Sequence, residues 1–68
     1  MQTEYTFIAT IGKIDFGITY TADKTEIGIV SIKVCGEYIL ADGQLARDIK
    51  AEVLKHYEIN HKKFIYLN

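Results

Sequence analysis

The chain has 68 residues, of which 49% are hydrophobic and 12% aromatic, with a formal net charge of −1 at pH 7. This composition excludes a disordered chain and predicts a single folded domain over residues 1–68. No apolar run approaches the ~20 residues of a membrane span, the N-terminus lacks a signal-peptide pattern, and the single cysteine fits a reducing compartment. We therefore expect a soluble, cytoplasmic protein without disulfides.

The first two strands are predicted from Gly12 and Lys13, which lie between Ile11 and Ile14 as a two-residue hairpin turn. Glycine at the first of the two turn positions favours a type II′ turn. Pairing outward from this turn sorts the large apolar residues onto one face, whereas a one-residue slip would scatter them. The predicted pairs on that face are Ala9 with Phe16, Phe7 with Ile18 and Tyr5 with Tyr20.

A third strand is predicted after the polar residues 22–26, with Thr21 opposite Ile27. This register pairs Phe16 with Ile32 and Ile18 with Val30, on the face that also carries Phe7. It places Ile27 and Ile29 on the opposite face. It also pairs two oppositely charged residues, Asp15 and Lys33.

The second half of the chain predicts a short strand and then a helix. A tight turn at Gly36-Glu37 leads into Tyr38-Ile39-Leu40, with Ile39 opposite Val34. Asp42 reads as an N-cap, and helix-forming residues follow to about Tyr57, with one apolar stripe. The stripe consists of Leu45, Ala46, Ile49, Val53 and Tyr57.

We expect Leu54, which lies off the apolar stripe, to pack under a last strand formed by residues 64–67. The predicted fold class is α+β: an antiparallel three- to five-stranded β-meander with one helix on one face, in the order β-β-β-(β)-α-β.

The sequence carries no pattern that predicts catalytic, cofactor-binding or metal-binding residues. Glu52 and His56 are spaced i, i+4, but a third metal ligand is missing, and His61 is off that helix face. His56 is therefore predicted to be a partly buried histidine with a local hydrogen bond. Cys35 has the setting of an unactivated thiol, and Ser31 lacks a nucleophile motif. We predict a protein that is not an enzyme, with no cofactor and no small-molecule substrate.

Charge distribution makes nucleic-acid binding a weak alternative. Residues 1–44 carry three lysines and six acidic residues (3 − 6 = −3), and residues 45–68 carry five basic and three acidic residues (5 − 3 = +2). His61, Lys62, Lys63 and Tyr66 mix cations with an aromatic ring, but the chain has one arginine and its strands carry acids.

The outer face of the predicted sheet, opposite the helix, is the candidate site. It is rich in threonine and isoleucine, and acidic residues flank it, which points to contact with a basic protein partner or a second copy of the chain. The alternative interpretation is that these residues only reflect β-propensity. The predicted protein-binding residues are Glu4, Thr6, Ile8, Asp15, Thr19, Asp23, Glu26 and Ile29.

The favoured hypothesis is a small protein-binding module that acts by occupying a surface. Small stand-alone chains of this kind are common among phage and mobile-element products that inhibit a host protein, anti-CRISPR proteins among them, and this is an analogy of size and architecture alone. The alternatives are a homo-oligomeric structural or accessory subunit, with a homodimer as its simplest form, and a small nucleic-acid-binding domain. No membrane partner is expected.

Overall fold

The computed structural model of the chain describes residues 2–23 and 25–67, with side chains described for residues 2–23 and 25–60. Four strands form one antiparallel sheet in the order β1-β2-β3-β4, and one helix follows them. The elements are β1 Thr3–Ile11, β2 Ile14–Ala22, β3 Ile27–Val34, β4 Glu37–Ile39 and α1 Gly43–Leu67. The predicted α+β meander with one helix is confirmed.

The first hairpin has the predicted register, since Ala9 pairs with Phe16, Phe7 with Ile18 and Tyr5 with Tyr20. The turn type is different. Gly12 has φ of 60° and Lys13 has φ of 71°, so both central residues are left-handed and the turn is type I′ rather than type II′. The register survives because both turn types close a two-residue loop and carry the twist that the strands need.

The second hairpin corrects the predicted register of β3. Ile18 pairs with Ile32 and Gly17 with Lys33, a shift of two residues that keeps Ile32 on the core face. Lys33 therefore lies opposite Gly17 and not Asp15. A β-bulge follows, because Thr19 pairs with Ser31 while the next residue, Tyr20, pairs with Ile29, which leaves Val30 as the extra residue.

The bulge reverses the predicted facing of two isoleucines. Because Ile29 is opposite Tyr20 and Ile27 is opposite Ala22, both lie on the helix side of the sheet. Ile27 packs against the core, and Val30 is mostly exposed. The prediction that Ile27 and Ile29 face outward is therefore wrong, because it assumed uninterrupted alternation along β3.

The turn between β3 and β4 is formed by Cys35 and Gly36, with φ of 50° and 82°, rather than by Gly36 and Glu37. Ile39 consequently pairs with Ile32 and not with Val34. This shift is again two residues, so Ile39 keeps its predicted place on the core side.

Helix α1 begins as predicted, with the Ala46 backbone N–H donating to the Asp42 carbonyl at 3.3 Å, but it continues ten residues past its predicted end to Leu67. The predicted last strand at 64–67 is therefore wrong. Neither glycine nor proline occurs between Gln44 and Leu67, so nothing local stops the helix. No helix in the part of the chain described has the length and apolar character to cross a bilayer.

The core lies between α1 and the sheet. The predicted helix stripe is confirmed, with Ile49 and Val53 buried and Leu45 and Tyr57 packed against the cluster. Ile18 and Tyr20 are fully buried, and Phe16 is also buried. The helix packs on β1 and β2, so it covers one half of the sheet.

Candidate protein-binding surfaces

The outer face of the sheet carries one continuous row of residues across all four strands. Pairing places Ile8 beside Gly17, Gly17 beside Lys33, and Lys33 beside Tyr38. Ile8 is 74% exposed and Tyr38 is 72% exposed, and the Lys33 Nζ lies 5.2 Å from the centre of the Tyr38 ring. Gly17 leaves a shallow gap in the row, because an added side-chain carbon there would only touch Lys33. The row joins two large apolar side chains through one cation.

The two outer-face rows on either side of the Ile8–Gly17 row are polar and internally bonded. The hydroxyls of Thr6 and Thr19 lie 3.0 Å apart and share a hydrogen bond, with Ser31 next to Thr19. The Thr10 hydroxyl donates to the Asp15 carboxylate at 2.6 Å. These hydroxyls satisfy one another within the sheet, so Thr6 and Thr19 suit the rim of an interface better than its centre.

The predicted acidic residues do not form one cluster. Glu4 is opposite Thr21 and Asp15 is opposite Thr10, so the two carboxylates lie six pairs apart along the sheet, about 20 Å. Glu26 lies in the β2–β3 loop and accepts a bond from Gln2 Nε2 at 3.4 Å. The acidic charge is thus divided between the two ends of the sheet.

Asp23 holds the β2–β3 loop together. Its Oδ1 accepts the backbone N–H of Thr25 at 2.7 Å, the Thr25 hydroxyl at 2.9 Å and the backbone N–H of Glu26 at 2.9 Å. The Thr25 backbone N–H, followed by that of Glu26, holds the pKa of the Asp23 carboxyl below its usual range. Three donors already occupy this carboxylate oxygen, so a structural role explains Asp23 without any partner.

The helix side of the sheet carries an apolar groove that the sequence interpretation missed. We call the surface over β3 and β4, beside α1, the β3–α1 groove. One hollow of about 270 Å³ is lined by Ile27, Ile29, Val53, Leu54 and Lys50, and an adjoining one of about 230 Å³ runs past Ile29 to Ile32, Ile39, Leu40 and Ala46. Ile29 is 42% exposed, Leu54 is 43% exposed, and Leu40 is fully exposed.

Leu54 therefore lies at the rim of this groove. The prediction that it packs under a last strand is wrong. The sequence does contain a signal for the groove. Apolar residues in β3 fall at 27 and 29 and then at 32 and 34, and this break in the two-residue alternation at Val30 marks the bulge.

An aromatic cluster links α1 to the first two strands. The Tyr20 hydroxyl lies 2.7 Å from His56 Nδ1 and shares a hydrogen bond with it, and the His56 ring stacks on Phe7 at 4.1 Å between centres. Tyr5 stacks on Tyr20 at 5.1 Å. Burial raises the pKa of the Tyr20 phenol, and the nearby phenols of Tyr5 and Tyr57 raise it further.

His56 is thus a partly buried histidine with a local hydrogen bond, as predicted, since Asn60 Nδ2 donates to its backbone carbonyl at 2.9 Å. The distant Tyr20 adds a hydrogen bond to the ring at Nδ1. The Tyr20–His56 pair binds α1 to the sheet. Its hydroxyl and imidazole are packed among aromatic rings, which is the setting of a structural contact.

The other residues considered for chemistry remain separate. Cys35 is an exposed free thiol in the β3–β4 turn, and Ser31 lies on the outer face beside Thr19. His61 and the side chains of Lys62, Lys63 and Tyr66 are outside the described side chains. Over the described residues, no three His, Cys, Asp or Glu side chains come together as a metal site.

No protein-family model, no curated protein and no solved structure significantly matches this chain.

Proposed function

We propose that this protein is a non-enzymatic protein-binding module whose β3–α1 groove receives an amphipathic helix from its partner. The observation that carries the proposal is the half-covered sheet. Helix α1 packs on β1 and β2, while Ile29, Leu40 and Leu54 stand exposed around an apolar groove over β3 and β4. Large apolar patches on a small chain are typical of interaction sites.

The dimensions of the groove favour a helix as its occupant. Neighbouring strands are about 4.8 Å apart, so β3 and β4 present a surface roughly 10 Å wide. A helix with its side chains is about 10–12 Å across. A helix lying beside α1 would complete the two-layer architecture, with its i, i+3, i+4 and i+7 residues entering the hollows.

Charges at the rim indicate the polar residues of the partner helix. Lys50 lines the groove, and Glu26 lines an adjoining hollow that also includes Lys50 and Ile27. We expect an acidic residue on the partner to face Lys50 and a basic residue to face Glu26. Exposed rim charges act mainly on the association rate, so association should slow as salt concentration rises.

A comparison of two surface variants tests which face binds. Leu54→Lys places a charge in the β3–α1 groove, and Tyr38→Ser removes the largest exposed ring of the outer face; both residues are exposed, so the fold should tolerate both changes. A partner is first captured with the wild-type chain as bait, and its binding to each variant is then measured. We expect Leu54→Lys to lose this binding and Tyr38→Ser to keep it.

The reverse result would return the interface to the outer face predicted from Thr6, Ile8 and Thr19. If the module inhibits its partner, as the sequence hypothesis of a phage-type inhibitor holds, activity should fall in proportion to added protein until one equivalent is present. Inhibition at far lower ratios would contradict surface occupation and indicate an enzyme.

A further inference from the structure

The outer edge of β1 has no neighbouring strand in the described part of the chain. This edge is separate from the β3–α1 groove. β1 is the outermost strand and has nine residues, Thr3–Ile11, with one charged residue, Glu4. Natural sheets protect such edges with lysine, proline, bulges or shortness. β1 contains no lysine, no proline and no bulge, and its pairing with β2 is regular from Thr3 to Ile11.

The other edge of the sheet is protected. β4 has three residues, Glu37–Ile39, and begins with an acid. The part of β3 that extends beyond β4 carries the bulge at Val30, which interrupts a regular ladder. A strand added to this sheet would therefore join at β1.

Alternate residues of β1 direct their backbone groups to the free edge. Ile11 and Ile14 are the first and last residues of the Gly12-Lys13 turn. The backbone N–H and C=O of Ile11 therefore bond to β2. Since the bonding direction alternates along an antiparallel strand, the odd-numbered residues also bond toward β2. The residues that present N–H and C=O outward are Glu4, Thr6, Ile8 and Thr10.

We propose that β1 pairs antiparallel with β1 of a second copy of this chain, about a twofold axis at Phe7. Phe7 is the central residue of Thr3–Ile11, so this register pairs the strand over its whole length. Thr6 is then opposite Ile8 of the second copy, and Glu4 is opposite Thr10. Every pair joins residues of the same face, so the two sheets continue as one eight-stranded sheet with both helices on one side.

The occupant is a second copy because the strand is complementary to itself. The two Glu4 carboxylates lie at opposite ends of the paired strands, about 20 Å apart, and the Phe7 rings meet near the axis as a cross-strand aromatic pair. Each α1 lies over β1 and β2, so the helices of the two copies come to lie beside each other on one side of the joined sheet.

Electrostatics opposes the pairing to a limited degree. Glu4 of one copy lies two strands from Asp15 of the other, with Thr10 between them, a separation of about 10 Å. Exposed like charges at that distance are screened at ordinary ionic strength. The affinity of the dimer should therefore increase as salt concentration rises. The association rate of a partner at the β3–α1 groove should instead decrease.

The first test is the molar mass of the wild-type chain by light scattering at 10–100 micromolar, where we expect the mass of a dimer. Thr6→Pro removes an outward N–H without breaking a bond to β2, and it should give a folded monomer. Thr6→Val is the matched control, because it also loses the Thr6–Thr19 hydroxyl bond but keeps the N–H, and it should remain dimeric. A wild-type monomer, or a folded and dimeric Thr6→Pro variant, would overturn the proposal.

The second test measures the register and does not depend on the proline variant folding. Spin labels are attached at Glu4→Cys or at Thr10→Cys, each in a Cys35→Ser background, since all three residues are exposed. With the axis at Phe7, the backbone separation between copies is about 20 Å at both positions. Unequal distances would move the axis, and the absence of any intermolecular distance would reject the edge pairing.

Discussion

Replacing Tyr20 with phenylalanine removes one hydroxyl from the contact that binds α1 to the sheet. Tyr20 is fully buried, its hydroxyl shares a 2.7 Å hydrogen bond with His56 Nδ1, and its ring contacts Tyr5 and Phe7. Phenylalanine keeps those ring contacts. The loss is therefore one partly buried hydrogen bond, about 1 kcal/mol, and the ring packing is kept.

A loss of that size is measurable in a chain this small. Its total free energy of unfolding should be about 3–10 kcal/mol, from ~0.05–0.15 kcal/mol per residue. A change of 1 kcal/mol lowers the Tm of such a domain by about 4–8 °C. Thermal and urea unfolding of Tyr20→Phe, followed by circular dichroism, should show this decrease.

A double-mutant cycle with His56→Ala isolates the hydrogen bond from the stacking of His56 on Phe7. The single variants should be coupled by about 1 kcal/mol, since each removes the same bond. Independent, additive effects would refute the pairing of Tyr20 with His56.

The raised pKa of Tyr20 gives the same prediction a pH dependence. In the unfolded chain this phenol loses its proton near pH 10, whereas the folded protein retains it. Tyr20 therefore contributes its full stability below pH 10, and that contribution falls as pH rises toward the folded pKa. Wild-type protein should lose more stability than Tyr20→Phe between pH 9 and 11; equal losses would count against burial of the phenol.

The remaining predictions concern packing, turns and the bulge, and thermal unfolding measures each of them. Ile18→Ala, at a fully buried site, should cost about 2–5 kcal/mol, whereas Thr19→Ala, on the outer face, should cost less than about 1 kcal/mol. Lys13→Gly should stabilise the protein by up to about 1 kcal/mol, because Lys13 has φ of 71°. Deletion of Val30 should leave a folded protein, since every β2–β3 pair remains, while deletion of Thr19 should unfold it. Asp23→Ala should lower the Tm at pH 7, and the difference should shrink below pH 4 as the wild-type carboxyl is protonated.

The first hairpin was predictable from sequence because a two-residue turn leaves few registers. Once Ile11 and Ile14 flank Gly12 and Lys13, alternation determines every pair to Thr3 and Ala22. The turn type was not predictable in the same way. Glycine at the first turn position suggested type II′, but Lys13 adopts a left-handed conformation that is rare for lysine.

The registers of β3 and β4 were missed because their loops permit shifts of two residues without moving any residue to the other face. Faces were therefore predicted better than partners, as Ile32 and Ile39 show. The bulge at Val30 is different, since it inverts the facing of Ile27 and Ile29. One extra residue thus moved Ile29 from the predicted outer-face site into the β3–α1 groove.

The last helical turns were missed for an energetic reason. Phe64-Ile65-Tyr66-Leu67 suits a strand by composition, and composition alone gave no way to choose between a strand and a longer helix. Continuing a helix adds one backbone bond per residue, whereas a new strand needs a turn and a partner edge. No turn signal separates Tyr57 from Phe64, so the chain continues as helix.

The unprotected surfaces and the small size of the chain have a common physical origin. A domain of this length buries only about 60% of the surface of its unfolded chain. In the described part of this chain, one helix packs against a sheet of four strands. Ile29, Leu40 and Leu54 remain outside the core because, within residues 2–23 and 25–67, no second helix lies over β3 and β4. A partner that binds the folded form adds stability according to its concentration relative to Kd. Ligand-induced stabilisation should therefore disappear in Leu54→Lys, whereas any stabilisation through the β1 edge should persist in that variant and disappear in Thr6→Pro.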